Sequence, residues 1–253
     1  MCRTKEEVKK KWDIIIKNEI YEEYKRFCNN DNLPDFETEY SEVNGSAGYA
    51  MSVNPILRPP IILHINTDFM IQKPELIKQS LFHEFTHIYD WIELQKVVML
   101  MNNKIIFYRV YTEFHAKQVE LACALGFENI DKYKEFKSST QIPYYGSVLK
   151  LNENLSTEAE NYRDRFIEEP NKTNLDDFIL TTFYYLGTAS FCKKYCSIDY
   201  LWSTEFLEEF ENDFIDIAMD LTKFENTKDE INCIAEKVIK LKDILKLKYK
   251  SVD

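Results

Sequence analysis

His83, Glu84 and His87 stand in the order His-Glu-x-x-His, inside the stretch PELIKQSLFHEFTHIYDW that begins at Pro74. On an α-helix, at about 100° per residue, His83 and His87 lie about 40° apart and about one turn apart in height. Two imidazoles so placed grip one cation from one helix face. Glu84 points about 100° from His83, beside the cation rather than into it, where it can take a proton from a water. Zn²⁺ brings the pKa of such a water toward about 7, which makes hydroxide available at neutral pH. The chain has 4 histidines, His64, His83, His87 and His115, and half of them sit in this pentapeptide. The flanking Leu81, Phe82, Phe85 and Ile88 point to a buried site, and a buried pair of histidines needs something to bind. One Zn²⁺ per chain is the cofactor this pattern predicts. A metal-free reading of the same pentapeptide requires the two imidazoles to diverge, with their nitrogens more than about 5 Å apart.

A hydrolytic zinc site takes three protein ligands. The next helical stretch offers EFHAKQVE, residues 113–120, and 25 residues separate His87 from Glu113. That length lets one helix end, turn and return. Glu113 is the favoured third ligand. Glu120, seven residues on and about 20° away on the same face, is the alternative. His115 lies about 200° of helix rotation from Glu113 and cannot share its site on a regular helix. Asp90 falls within about 20° of His83 on the metal face and is placed to hydrogen-bond a ligand or a substrate amine. An oxyanion donor is also needed, and Tyr144 and Tyr145 of the Ile-Pro-Tyr-Tyr-Gly loop, or His115, are the candidates. His64 reads as an ordinary strand residue rather than a ligand.

The pentapeptide followed by Glu-x-x-Ala (Glu113, Ala116) resembles the gluzincin metallopeptidases. The order of helix, hairpin, edge strand, motif helix and glutamate helix is similar to that of the minigluzincins, including the ImmA/IrrE-like peptidases. The resemblance spans about residues 40–125 and does not extend to the last half. It implies His83, His87 and Glu113 as zinc ligands and Glu84 as general base. It also implies that the strand at Ile61–Asn66 pairs with an extended peptide or protein substrate, as an edge strand with unpaired backbone groups would. The chain departs from the larger gluzincins, whose Glu-x-x-x-Asp form would need Asp where Lys117 stands. No helix-turn-helix partner domain is evident, and a SprT-like site would need a third histidine where only His115 is available. The implied activity is zinc-dependent hydrolysis of peptide bonds. The competing reading is a catalytically idle zincin-fold protein that serves binding or regulation.

Periodicity places the elements that must hold these residues. Trp12, Ile15, Ile16, Ile20 and Phe27 recur at helical spacing over residues 4–28. Gly45 and Gly48 punctuate a stretch that reads as a hairpin through Val53. Pro55, Pro59 and Pro60 precede Ile61–Asn66, which reads as a short strand and, because proline precedes it, an edge strand. From Pro74 a helix is expected to about Leu100, a break at Asn102–Asn103, and a second helix from Phe107 to Leu125, stopped by Gly126. Further helices are expected near 131–137, 157–168, 175–195, 204–224 and 228–249. Thr157 with Glu160, and Thr227 with Glu230, have capping-box spacing. Phe178, Phe183, Tyr184, Tyr185 and Phe191 read as helix core. The fold class this gives is α+β: a small, mostly antiparallel sheet with its edge strand on the motif helix, then a largely helical C-terminal region. Residues 138–146 carry least structure, which divides a zincin-like domain at 1–146 from a helical subdomain at 147–253.

Composition sets the remaining bounds. A chain of 253 residues reads as one or two domains, and 45% apolar with 30% charged residues reads as globular. Its 5 glycines compare with about 18 at average usage. That argues against Rossmann and P-loop folds, which need clustered glycines against phosphate. The net charge of −11 disfavours nucleic acid and anionic membranes as partners. Lysines from Lys237 to Lys250 alternate with apolar residues as on an amphipathic helix with a solvated face. The 6 cysteines are dispersed and read as reduced thiols. Cys192 and Cys196 lie four apart and face one way on a continuous helix, but no histidine accompanies them. No apolar segment near Met1 reads as a secretory signal and no run is long enough to span a bilayer, so a cytoplasmic location is expected.

Overall fold

The computed structural model describes residues 5–41, 51–53, 60–95, 105–129, 136–144, 147–167, 175–199, 211–223 and 226–249. The elements in order are α1 (Lys5–Ile15), a π-helical turn (Ile16–Ile20), α2 (Tyr21–Phe27), β1 (Glu37–Ser41), β2 (Met51–Val53), β3 (Ile62–Asn66), α3 (Thr67–Gln72), a 3₁₀ turn (Pro74–Leu76) and α4 (Ile77–Gln95). Then come α5 (Ile105–Ala124), β4 (Gln141–Tyr144), β5 (Ser147–Lys150), α6 (Leu151–Ile167), α7 (Leu175–Cys196), α8 (Glu211–Leu221) and α9 (Lys228–Tyr249). Glycines 45 and 48, Pro55, Pro59, the Asn102–Asn103 break, residues 131–135 and 204–210, and Tyr145 lie outside the described residues.

The expected α+β class with a mostly antiparallel sheet is overturned. Helix dominates the described residues, and the larger sheet has only three short strands in the order β1-β3-β2. β1 runs parallel to β3, with Glu37 opposite Ile62, while β2 runs antiparallel to it, with Ser52 opposite His64. The Thr38 and Tyr40 hydroxyls of β1 both donate to the Asp13 carboxylate on α1, at 2.5 and 2.8 Å, which ties this strand to the first helix.

β3 is therefore flanked on both sides, and its reading as an edge strand is corrected. The prolines that prompted that reading stop at Pro60, before the paired register begins at Ile62, so they remove no ladder bond. The sheet's outer strands among the described residues are β1 and β2. Along β3, Leu63 and Ile65 are buried while His64 faces outward with its Nδ1 3.2 Å from a Glu39 carboxylate oxygen.

The chain forms two compact units. The first takes Met1–Ile92, Val119–Tyr133 and Pro143–Val148, and the second takes the remainder. In the first, Tyr21, Tyr24, Phe27 and Phe36 meet Phe82 and Phe85 of α4 in an aromatic cluster with centroid separations of 4.7–5.5 Å. α5 ends as expected at Gly126, whose φ of +76° suits a residue without Cβ. Phe127 N–H then bonds back to the Ala122 carbonyl and Gly126 N–H to that of Cys123, closing the helix end. Residues 138–144 hold more structure than their composition predicts, because β4 pairs with β5 and Leu151 N–H bonds to the Thr140 carbonyl.

In the second unit α7 is the central helix, buried on nearly every side from Phe178 to Cys192. Phe178, Phe183, Tyr185 and Phe191 are core, as the pattern predicts. Tyr184 is not: its ring is exposed and lies under the Lys117 ammonium, 4.6 Å from the ring centre. The Thr157–Glu160 capping box is also corrected. α6 starts six residues earlier, at Leu151, and the Thr157 hydroxyl donates to the Glu153 carbonyl within the helix. The other box forms, with Thr227 N–H on Glu230 Oε2 at 2.8 Å and Glu230 N–H on Thr227 Oγ1 at 3.3 Å. On α9, Val238, Leu241 and Leu245 are buried, and two of the lysines pair with acids: Lys237 with Asp216 and Asp220, Lys242 with Asp176.

Two outcomes are expected. A Cβ at Gly187 would sit 2.5 Å from the Phe114 carbonyl oxygen and 2.9 Å from Lys117 Cβ. Backbone cannot turn away, so overpacking at about 1–3 kcal/mol outweighs the roughly 1 kcal/mol that alanine gains in helix propensity. Gly187→Ala should lower the urea midpoint rather than raise it. Glu230 is held down to about 2 from an ordinary 4.5, by Lys223 first and then by Thr227. Its folded-state pKa is depressed, so its contribution is fully present above the ordinary value and is lost as pH falls toward about 2. Glu230→Gln should flatten the acid limb of thermal stability over that window.

Candidate metal centre

α4 is built to be buried. Asn66 ends β3 and caps α3, its side chain accepting from Asp68 N–H at 2.9 Å and Phe69 N–H at 3.2 Å. Pro74 then opens the 3₁₀ turn that leads into α4, where its missing N–H is no loss. From Leu81 to Trp91 every residue of the helix is buried.

One side of that buried stretch is apolar and held from α2. Phe85 packs against Tyr21 at 4.7 Å, Phe36 at 5.4 Å and Tyr24 at 5.5 Å between ring centres. The Tyr24 hydroxyl donates to Thr86 Oγ1 at 3.2 Å, and Thr86 donates in turn to the Phe82 carbonyl at 2.8 Å. Burial pushes the Tyr24 phenol well above its ordinary value, so it stays a neutral donor. These contacts fix the rotation of α4 about its own axis, and with it the direction of the residues on the other side.

Those residues are polar. His83, Glu84, His87 and Asp90 retain only 9%, 8%, 5% and 1% of their exposure. His83, Glu84 and His87 each direct a ligand atom to a common region, all within 4.8 Å of one another. The two imidazoles stand edge to face, 4.9 Å between centres and 84° between planes. This meets the condition set by the sequence: the rings converge, and the metal-free reading that requires divergence is not supported. Two imidazoles and a carboxylate buried together form a nitrogen–oxygen donor set suited to a divalent cation.

A second carboxylate reaches the site from α5. Glu120 Oε2 lies 3.0 Å from His83 Nδ1. Toward an ionised carboxylate Nδ1 would be the donor, the tautomer that would leave the Nε2 lone pair for a cation. The spacing between Glu113 and Glu120 carries the signal for this role, since residues seven apart share a helix face. What the sequence does not show is which of the two meets an imidazole nitrogen. The aromatic clamp depends on a meeting of two helices that sequence spacing does not show, although Tyr21, Tyr24 and Phe27 at intervals of three match Phe82 and Phe85.

The other expected site residues are placed as follows. Asp90 lies on α4, one helix turn beyond His87 and almost fully buried. Glu113 is half-buried in the part of α5 that belongs to the second unit. His115, also in the second unit, is fully buried, with Nε2 3.0 Å from the Leu221 carbonyl and its ring 4.2 Å from that of Tyr111. Tyr144 is the last residue of β4.

Compared with protein-family models, with curated proteins and with solved structures, the chain has no significant match in any of the three. The metal-binding pattern of His83, Glu84 and His87 thus rests on this chain's own geometry. Among the described residues no helix is long and apolar enough to cross a membrane.

The clamp can be tested apart from any metal. Phe85→Ala should cost about 3–5 kcal/mol of unfolding free energy, the range for an aromatic removed from a packed core. Urea unfolding with metal chelated would measure it, and a loss below about 1 kcal/mol would show that the cluster does not hold α4.

Proposed function

We propose that this protein is a zinc-dependent metallopeptidase of gluzincin type. The observation that carries the reading is the convergence of His83, Glu84 and His87 on one buried face of α4. Its support is chemical. Donors of this kind at this spacing select zinc over hard cations such as Mg²⁺, which prefer oxygen. Bound zinc supplies a Lewis acid that polarises a carbonyl and makes water a nucleophile near neutral pH.

The chain's own residues divide the remaining work. His83 and His87 hold the ion. Glu84 takes a proton from the attacking water and passes it to the leaving amine. Glu120, through His83 Nδ1, keeps that ring in the tautomer whose Nε2 faces the ion. The gluzincin resemblance implies Glu113 as the third ligand. Asp90, buried one turn beyond His87, is placed to hydrogen-bond within the same helix face. The substrate is an extended peptide. Since β3 is flanked, strand addition would use an outer strand of the sheet rather than Ile62–Asn66.

Elemental analysis of the purified chain and its variants tests this reading. About one zinc per chain is expected in the parent, lost in His87→Ala and retained in Glu84→Gln. Glu120→Gln should keep zinc with affinity weakened about 10–100-fold, the usual effect of losing a carboxylate behind a ligating histidine. Glu113→Gln should weaken it further if that residue is a ligand. Peptide hydrolysis should disappear in Glu84→Gln while zinc stays. No zinc after reconstitution, or hydrolysis undiminished in Glu84→Gln, would overturn the proposal.

A further inference from the structure

Between α1 and α2 the helix changes its winding. Tyr21 N–H bonds to the Ile16 carbonyl, five residues back rather than four, and this closes the π-helical turn Ile16–Ile20. Such turns are rare, occur singly inside α-helices and recur at functional sites. Lys17, Asn18 and Glu19 of the turn are exposed, while Ile16 and Ile20 are buried. The turn holds one residue more than an α-helical turn would, and the bulge faces solvent.

That extra residue decides which way α2 faces. In an unbroken α-helix Tyr24 would lie about 20° from Asp13, Phe27 about 40° and Tyr21 about 80°. Tyr24 and Phe27 would then share the side of Asp13, which meets β1 through Thr38 and Tyr40. One added residue turns everything after it back by about 100°. Tyr21 then comes within about 20° of Asp13, Tyr24 moves to about 80° and Phe27 to about 140°.

The contacts follow the second set of angles. Tyr21 stands on the strand side: its hydroxyl donates to the Pro34 carbonyl at 2.7 Å, and its ring meets that of Phe36, the residue before β1, edge to face at 4.9 Å. Lys17, inside the turn, has its ammonium 5.8 Å from the centre of the same Phe36 ring. The Tyr21 ring also reaches Phe85 at 4.7 Å, where the strand side passes into the α4 side. Tyr24 and Phe27 wind on toward α4. Tyr24 meets Phe82 and Phe85 and donates to Thr86, and Phe27 meets Phe82. One run of helix thus serves two neighbours, the sheet before the turn and α4 after it.

We propose that this π-helical turn is a positioning element of the metal centre. Its extra residue swings Tyr24 and Phe27 off the sheet and onto α4, and so sets the rotation at which α4 presents His83, Glu84 and His87. That zinc is what these residues hold rests on the function proposed for the site, while their alignment rests on the aromatic contacts. The turn touches no donor. It acts through Phe82, Phe85 and Thr86, which stand on the same helix as the donors and on its other side. Such coupling is reciprocal. If opening the turn lets α4 rotate, zinc, which binds only the aligned donors, holds the turn closed.

Amide hydrogen exchange on the full-length chain, with and without zinc, tests the coupling. With zinc at about 100 times its dissociation constant, amides that open together with the site should slow by up to about 100-fold. The Tyr21 amide should slow along with those of α4, and the amides of α9 in the second unit should not. Deletion of Asn18 tests the rotation, since it returns the turn to four-residue bonding. With metal chelated, Phe85→Ala should lower the urea midpoint of the parent and leave that of the deletion chain nearly unchanged, because the clamp no longer faces α4. Loaded with cobalt(II) in place of zinc, the deletion chain should give a visible absorption spectrum different from the parent's, whereas Asn18→Ala, which keeps the residue count, should reproduce it. The proposal is overturned if zinc slows α4 and leaves Tyr21 unchanged. It is equally overturned if the deletion chain folds, keeps the parent's cobalt spectrum and still loses stability on Phe85→Ala. Should the deletion chain fail to fold, the exchange result on the parent decides. A parent that binds no zinc would overturn the function proposed for the site instead, and the metal-free urea comparison would then decide on the turn.

Discussion

A helix with no solvent-facing side imposes one constraint on the first unit. From Leu81 to Trp91, α4 buries polar and apolar faces alike. Polar groups buried there carry a desolvation cost that close partners must offset. His83 has such a partner in Glu120, and His83, Glu84 and His87 bring their ligand atoms within 4.8 Å of one another, an arrangement that could hold a metal ion. Burial would strengthen a bound metal's field, because little water screens it.

Holding such a cluster requires that α4 not rotate. A rotation of α4 by one residue, about 100°, would exchange His83 for Glu84 on the metal face. The aromatic contacts to α2 prevent this. Phe82 and Phe85 fill the spaces between Tyr21, Tyr24, Phe27 and Phe36, and the Tyr24–Thr86–Phe82 hydrogen-bond chain fixes the register along the axis. Asp13 ties the sheet to α1: it accepts from both Thr38 and Tyr40 of β1, and β3, the strand that leads into α3 and α4, pairs beside β1. The metal face is thus the last consequence of packing that begins on α1 and α2.

How much of this is legible in the sequence depends on the range of the interaction. Local signals read well. The His-Glu-x-x-His spacing, the Thr227–Glu230 box, the stop at Gly126 and the core positions of α7 all follow from contacts within one or two helical turns. Signals set by partners far along the chain read poorly. β3 looks like an edge strand because Pro60 precedes it, and only the arrival of β1 from one side and β2 from the other makes it central. The sheet's mixed direction is equally invisible, because it lies in pairings between strands far apart in the chain, Glu37 with Ile62 and Ser52 with His64 among them. Tyr184 has a core residue's neighbours in sequence, yet its ring is exposed and meets Lys117 of another helix. Glu120 illustrates the middle case. Its helix face is readable, but its contact with His83 Nδ1 depends on how two helices meet.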